Sequence, residues 1–268
     1  VNWTLHNHGH ETVRIAIGDN LLSKPWTSDL MRLNKSFIVQ RSIKAPRKLF
    51  AAFKTLSSYI SHSLQVDGEH VWIAQREGRA KDGNDLTEPA IIKMFAMAKS
   101  KEQTLAQFIN SINLVPISIS YEYDPCDQLK AHELSQIAQH GQYTKSPHED
   151  IQTIGRGITG YKGRVNVCFA KPIANLNDDV TAEEIAELID NAILDHYKIR
   201  PANIIAMQQL DPEADIDASD FGISFSDMGK ASAEFRERFE RIEPSDEEAF
   251  LGAYAAPVRR ILQRKTAR

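Results

Sequence analysis

The chain has 268 residues, with 32 Lys and Arg against 36 Asp and Glu for a formal net charge of -4. With 42% hydrophobic and 25% charged residues, and only 13 Gly and 11 Pro, the composition excludes extensive disorder and supports a sizeable core. The longest apolar runs, such as Ile91 to Ala98, are broken by Lys93 and fall short of the roughly 20 residues that span a bilayer.

Val1 to His10 lacks the basic start and apolar stretch of a signal peptide. His6, His8 and His10 with Glu11 read as a turn carrying solvated histidines. Arg14 to Ile17 is predicted to be a strand. A basic region follows: Lys24 to Lys48 holds seven cations and one acid, Asp29. Within it Phe37 to Arg41 reads as a second strand. Pro46 then opens a helix, on which Leu49, Phe53, Leu56 and Ile60 recur at helical spacing. Val71 to Ala74 is a third strand, Pro89 to Ala98 a helix and Thr104 to Ile112 another. Leu114 to Tyr121 and Arg164 to Phe169 complete the predicted strands, the middle ones expected to be buried on both faces. Strands separated by helices predict an α/β fold with a central mixed, partly parallel sheet and flanking helices.

Beyond the last strand the pattern becomes helical. Thr181 and Glu184 form a capping box for a helix reaching about Tyr197, with an apolar face of Ile185, Leu188, Ile189 and Ile193. Helices are also predicted over Met228 to Ile242 and Ser245 to Lys265. Residues 1–175 are therefore expected to form an α/β domain and 176–268 a helical C-terminal region packed on it. Leu176 to Asp220 carries twelve acids against Lys198 and Arg200 and reads as solvated surface. Its loop around Asp211 to Asp220 lacks the Gly and the closing Glu of an EF-hand, and Cys126 and Cys168 lack metal-site spacing, so no metal is expected. Two cysteines in 268 residues also make a reducing compartment the default.

The segment Val71-Trp72-Ile73-Ala74-Gln75-Arg76-Glu77-Gly78-Arg79-Ala80-Lys81-Asp82-Gly83 is the one whose residue types point to chemistry. A strand runs into a loop in which glycines permit close backbone approach and Arg79 and Lys81 can point the same way. Forked Arg donors and a compact Lys charge suit phosphate oxygens. The Gly-Lys-Ser/Thr ending of a nucleotide P-loop and the GxGxxG fingerprint are both absent. A surface loop with local ion pairs is the other reading of the same spacing.

Five segments in order resemble the glycerol-3-phosphate and 1-acylglycerol-3-phosphate acyltransferase family. They are Ile15-Ala16-Ile17-Gly18-Asp19-Asn20-Leu21, the Arg-ended strand Phe37 to Arg41, the loop Arg76 to Lys81, Val115-Pro116-Ile117, and Gly163-Arg164-Val165-Asn166-Val167 with Lys171-Pro172-Ile173. The resemblance covers roughly Val1 to Ile173. It implies an O-acyltransferase that moves a fatty acyl group from acyl-CoA or acyl carrier protein to a hydroxyl of a glycerol phosphate or lysophospholipid. Arg41, Arg76, Gly78, Arg79 and Lys81 would bind the phosphate-bearing acceptor, with no cofactor beyond the acyl donor as co-substrate. Lys35 stands where the family often has Gly, and Arg76 occupies the family's Glu position in an ungapped alignment. The family's catalytic His and Asp precede its Ala-Gly-Asp-Asn-Leu segment at a distance that places the pair upstream of Val1; His6 and Glu11 sit too close to Gly18 to replace it. A cytoplasmic protein touching the inner membrane face, without nucleic-acid partners, is the natural expectation. The alternative is a non-catalytic module on the same fold that binds phospholipid or acyl carrier protein.

Overall fold

The structure is a computed structural model that describes all residues except 20–24, 41, 77–79, 147–148, 215 and 267–268, and the side chains of 25–27, 150 and 151. The fold is mixed α/β, with a three-stranded parallel sheet, a two-stranded antiparallel sheet and a long C-terminal helix. The chain divides into two interleaved compact units. The first comprises Val1–Gly78, Leu86–Pro116 and Phe169–Ala192; the second comprises Arg79–Asp85, Ile117–Cys168 and Ile193–Arg268. The division therefore does not follow the sequence boundary expected after residue 175.

The first unit begins with α1 (Asn2–Asn7), β1 (Arg14–Gly18), α2 (Pro25–Leu33), β2 (Ser36–Val39), α3 (Pro46–Gln65) and β3 (Val71–Trp72). β1 is central and both neighbours run parallel to it, with Gly18 opposite Val39 and Ile15 opposite Trp72. Each crossover between parallel strands is helical, as such connections require. The expectation of strands buried on both faces is corrected here: Phe37 is buried but its neighbour Ile38 is 47% exposed, so β2 alternates as a half-covered strand does.

Pro46 occupies the first turn of α3, where its missing N–H leaves no bond unmade. Leu56 and Ile60 bury one face of that helix, and the Ser57 hydroxyl donates to the Phe95 carbonyl at 2.9 Å. Phe95 lies on α4 (Pro89–Ala96), which is followed by α5 (Leu105–Ile112). The capping box of α5 joins Thr104 to Gln107, and Ile109 and Phe108 are buried beneath it. Asp190 accepts from both the Thr87 N–H at 2.8 Å and its hydroxyl at 2.7 Å, fixing the approach to α4.

The second unit contains β4 (Ile117–Tyr121), α6 (Asp127–His140), α7 (Glu149–Thr159) and β5 (Val165–Phe169). α8 (Ala182–Asp195) starts in the first unit, opened by the predicted Thr181–Glu184 box, and ends in the second. Leu188 departs from its predicted apolar face and is 42% exposed. α9 (Pro201–Leu210), α10 (Phe225–Phe239) and α11 (Glu247–Thr266) complete the chain. Their core joins Ala202, Ile204 and Ala206 to Phe250, Tyr254, Ala255 and Val258. Phe235 meets Tyr254 edge-on at 5.4 Å and Phe250 at 5.6 Å. α9, α6 and α7 were not predicted. α9 is buried from Pro201 to Ile204 and at Ala206 and Met207, so its first two turns show no apolar stripe with a polar opposite face, the period that marks a surface helix.

The antiparallel pair β4–β5 explains the Gly-Arg-Val segment in structural terms. The Glu122 carboxylate accepts from Arg164 Nη2 at 2.8 Å, Nε at 3.1 Å and the backbone N–H at 2.9 Å. Gly163, at φ +61°, leaves room for it: an added Cβ would lie 2.7 Å from Glu122 Oε2 and 2.8 Å from its Cβ. Gly163→Ala is therefore expected to lower stability by about 1 to 3 kcal/mol, measured by denaturant unfolding. The hydrogen bonds from Arg164 hold the Glu122 carboxyl below its ordinary value of 4.5. A depressed carboxyl contributes stability above its unfolded pKa and loses it as pH falls through the folded one. Arg164→Leu should accordingly melt lower than the wild type at pH 7, with the gap narrowing below about pH 4.5.

Candidate functional site

In the first unit, the three parallel strands end along one edge. The chain adds β2 on one side of β1 and then β3 on the other, which makes the carboxyl ends of β1 and β3 a topological switch point. Open α/β sheets bind ligands in the crevice outside such a point. Asp19 follows β1 directly. Its Oδ2 accepts from the Ser42 N–H at 3.2 Å and the Ser42 hydroxyl at 2.6 Å, tying the end of β1 to the segment that follows β2.

Beyond β3 come Gln75 and Arg76, both half-buried. The Gln75 carbonyl accepts from the Glu88 N–H at 3.0 Å, so the chain is held where it leaves this edge. Gln75 Nε2 is fully buried and has no hydrogen-bond partner among the described residues. A buried donor left unsatisfied costs about 1 to 3 kcal/mol, and unpaired buried donors in folded chains call for an explanation such as a ligand oxygen. The Arg76 guanidinium brings a cation to the same strand end, with its Nε buried.

Of the residues expected to bind the acceptor, Arg76 thus lies at the switch point. Arg41, Gly78 and Arg79 lie outside the described residues. Lys81 belongs to the second unit and does not reach out as a free cation: its ammonium is paired with Glu133 on α6, whose side chain is 13% exposed. That pairing gives the Lys81 ammonium a carboxylate partner within its own unit. His6 in the last turn of α1, and His10 and Glu11 beyond it, are exposed, and the His8 ring bonds the Thr4 carbonyl at 2.8 Å.

Sequence spacing gave no sign of two arrangements in the second unit. His132 Nδ1 lies 3.0 Å from Asp246 Oδ2, the acid being nearly buried and the imidazole half exposed. This pair ties α6 to the turn that opens α11. A cavity of about 410 Å³ is lined by Asp127, Arg156, Glu234, Glu237, Arg238 and Arg241 among others. Burial pushes the Asp127 carboxyl up, against the Tyr254 hydroxyl and Arg238, which stabilise its ionised form. Tyr254 donates to it at 2.8 Å and Arg238 at 3.0 Å. Three acids face three arginines there, so the cavity has no net charge with which to select an anion.

Among the described residues no group of three His, Cys, Asp or Glu side chains is placed to hold a metal ion. Among the same residues no helix is long and apolar enough to cross a membrane. No protein-family model matches this chain, and no curated protein matches it either.

Proposed function

We propose that the protein is an O-acyltransferase that moves a fatty acyl group from acyl-CoA or acyl carrier protein to a hydroxyl of a phosphate-bearing glycerol or lysophospholipid acceptor. The observation that carries this reading is the buried Gln75 donor beside Arg76 at the β1–β3 switch point. It supplies hydrogen-bond donors and positive charge where an anionic oxygen would lie, and the five family-like segments say which anion.

In this reading Arg41, Arg76 and Arg79 fix the acceptor phosphate, and Gln75 donates to one of its oxygens. Fixing the phosphate fixes the hydroxyl, and such positioning supplies several kcal/mol of the barrier. The hydroxyl oxygen attacks the thioester carbon; its proton passes to a base and on to the departing thiolate as the C–S bond breaks. The resemblance assigns the part of that base to the His of the family's His and Asp pair. The assay uses labelled acyl-CoA and a panel of glycerol phosphate and lysophospholipid acceptors.

Arg79→Ala and Arg76→Ala are each expected to raise the acceptor KM about a hundredfold while moving the acyl-donor KM less than threefold. Equal effects on both substrates would remove the phosphate clamp. Gln75→Leu replaces an unsatisfied buried donor by an apolar side chain of similar size, so Tm should hold or rise. The same change should raise the acceptor KM about tenfold. Full-length protein that binds acceptors without transferring acyl groups would establish the non-catalytic alternative.

A further inference from the structure

Between Asp29 and Asp67 the chain carries seven cations and no acid. Four of them, Lys44, Arg47, Lys48 and Lys54, lie just before α3 or on its first half, and all four are exposed. None of the four has an ion-pair partner among the described residues. Lys35, by contrast, reaches Glu69 at 3.6 Å. Arg47, Phe50 and Lys54 recur at helical spacing and so share one face of α3. That face is turned away from the buried Leu56 and Ile60, and on it Phe50 is 64% exposed between the two cations.

These side chains do little for the helix itself. Its first turn has no acid and no side-chain cap, and cations there oppose the positive N-terminal end of the helix dipole. A helix that only covered the sheet would be better served by acids at this end and a polar residue at position 50. Topology sets the patch beside the candidate site. β2 ends at the same edge as β1 and β3, and α3 is the connection that leaves β2. Lys44, Arg47, Lys48 and Phe50 therefore stand at the carboxyl edge of the sheet, in the same compact unit as Asp19, Gln75 and Arg76.

We propose that the start of α3 is a docking surface for an anionic lipid bilayer, with Lys44, Arg47, Lys48 and Lys54 meeting headgroups and Phe50 entering the interface. Cations around a protruding aromatic ring match a membrane surface, where charge is met at headgroup level and apolar area just below it. The patch is local, on a chain whose net charge is -4, so the attraction depends on which face is presented. The docking stands on this surface alone; that it brings a lipid-borne acceptor to the strand ends rests on the acyltransferase reading.

Co-sedimentation with vesicles reads the docking without turnover. The protein should bind vesicles of phosphatidylcholine with about one third phosphatidylglycerol, bind pure phosphatidylcholine at least about tenfold more weakly, and be released as salt rises. A variant carrying Lys44→Glu, Arg47→Glu and Lys48→Glu should bind the anionic vesicles about a hundredfold more weakly. Phe50→Ser should bind them about tenfold more weakly with its salt dependence kept. Acids at this helix end suit the dipole, so the triple variant should keep or raise its Tm, which separates lost docking from lost fold. The same charge change at exposed positions elsewhere, Lys101→Glu with Lys198→Glu and Lys230→Glu, should leave binding within about threefold of wild type. Undiminished binding by the α3 triple variant overturns the surface, as does equal loss in the two triple variants. Equal wild-type binding to both kinds of vesicle, or none to either, overturns it too. Tighter binding to a DNA duplex than to the anionic vesicles would make this a nucleic-acid face and overturn the lipid assignment. Vesicle binding without acyl transfer leaves the docking standing and removes only the acyltransferase reading.

Discussion

The parallel pairing of β2 and β3 on opposite sides of β1 is the constraint from which the candidate site follows. Parallel strands cannot be joined by a tight turn, so α2 and α3 must carry the chain back, and every strand then ends along the same edge. Asp19, Ser42, Gln75 and Arg76 are neighbours of strand ends for that reason alone. Since β2 and β3 lie on opposite sides of β1, the carboxyl ends of β1 and β3 form the kind of switch point beside which open α/β sheets bind ligands. Gln75 Nε2 is buried beyond β3 with no hydrogen-bond partner among the described residues.

In the second unit a different logic operates. α9 and α11 share a core of small and aromatic residues, in which Ala202, Ala206 and Ala255 allow close approach and Phe235, Phe250 and Tyr254 fill the remaining space. Polar groups beneath this core are satisfied internally: Asn203 Nδ2 donates to the Tyr254 carbonyl at 2.8 Å, and the Tyr254 hydroxyl bridges the Asp124 N–H and the Asp127 carboxylate. Pro257 is the exception in this core. It breaks one helical bond inside α11, and the loop at Gly83 lies against the carbonyl so released.

The strands were legible because runs of Val and Ile bounded by Pro, Gly and charged residues have few other ways to be placed. Helix starts were legible where a local device marks them, as at Pro46, Pro89, Thr104 and Thr181. α9 was not, because Pro201, Ala202, Asn203, Ile204, Ala206 and Met207 are all buried, and a run buried over two turns leaves no apolar-polar period to read. α6 lacked a clean period for the opposite reason: it buries Ala131 and Ser135 while Lys130, His132 and Glu133 are spent on polar partners elsewhere in the unit.

The sequence by itself determined the strands, the helices marked by a local start signal, the mixed α/β class and the position of Arg76 just beyond a strand, since these rest on interactions within a few residues. Only the tertiary structure decided that Lys81 is neutralised by Glu133, that Gln75 buries an unmatched donor and that Gly83 must meet Ala253. Each of these depends on which distant residue the path of the chain brings alongside. A lysine in a loop has the same local sequence whether it faces a phosphate or a carboxylate, and its role follows from the partner that folding places within reach.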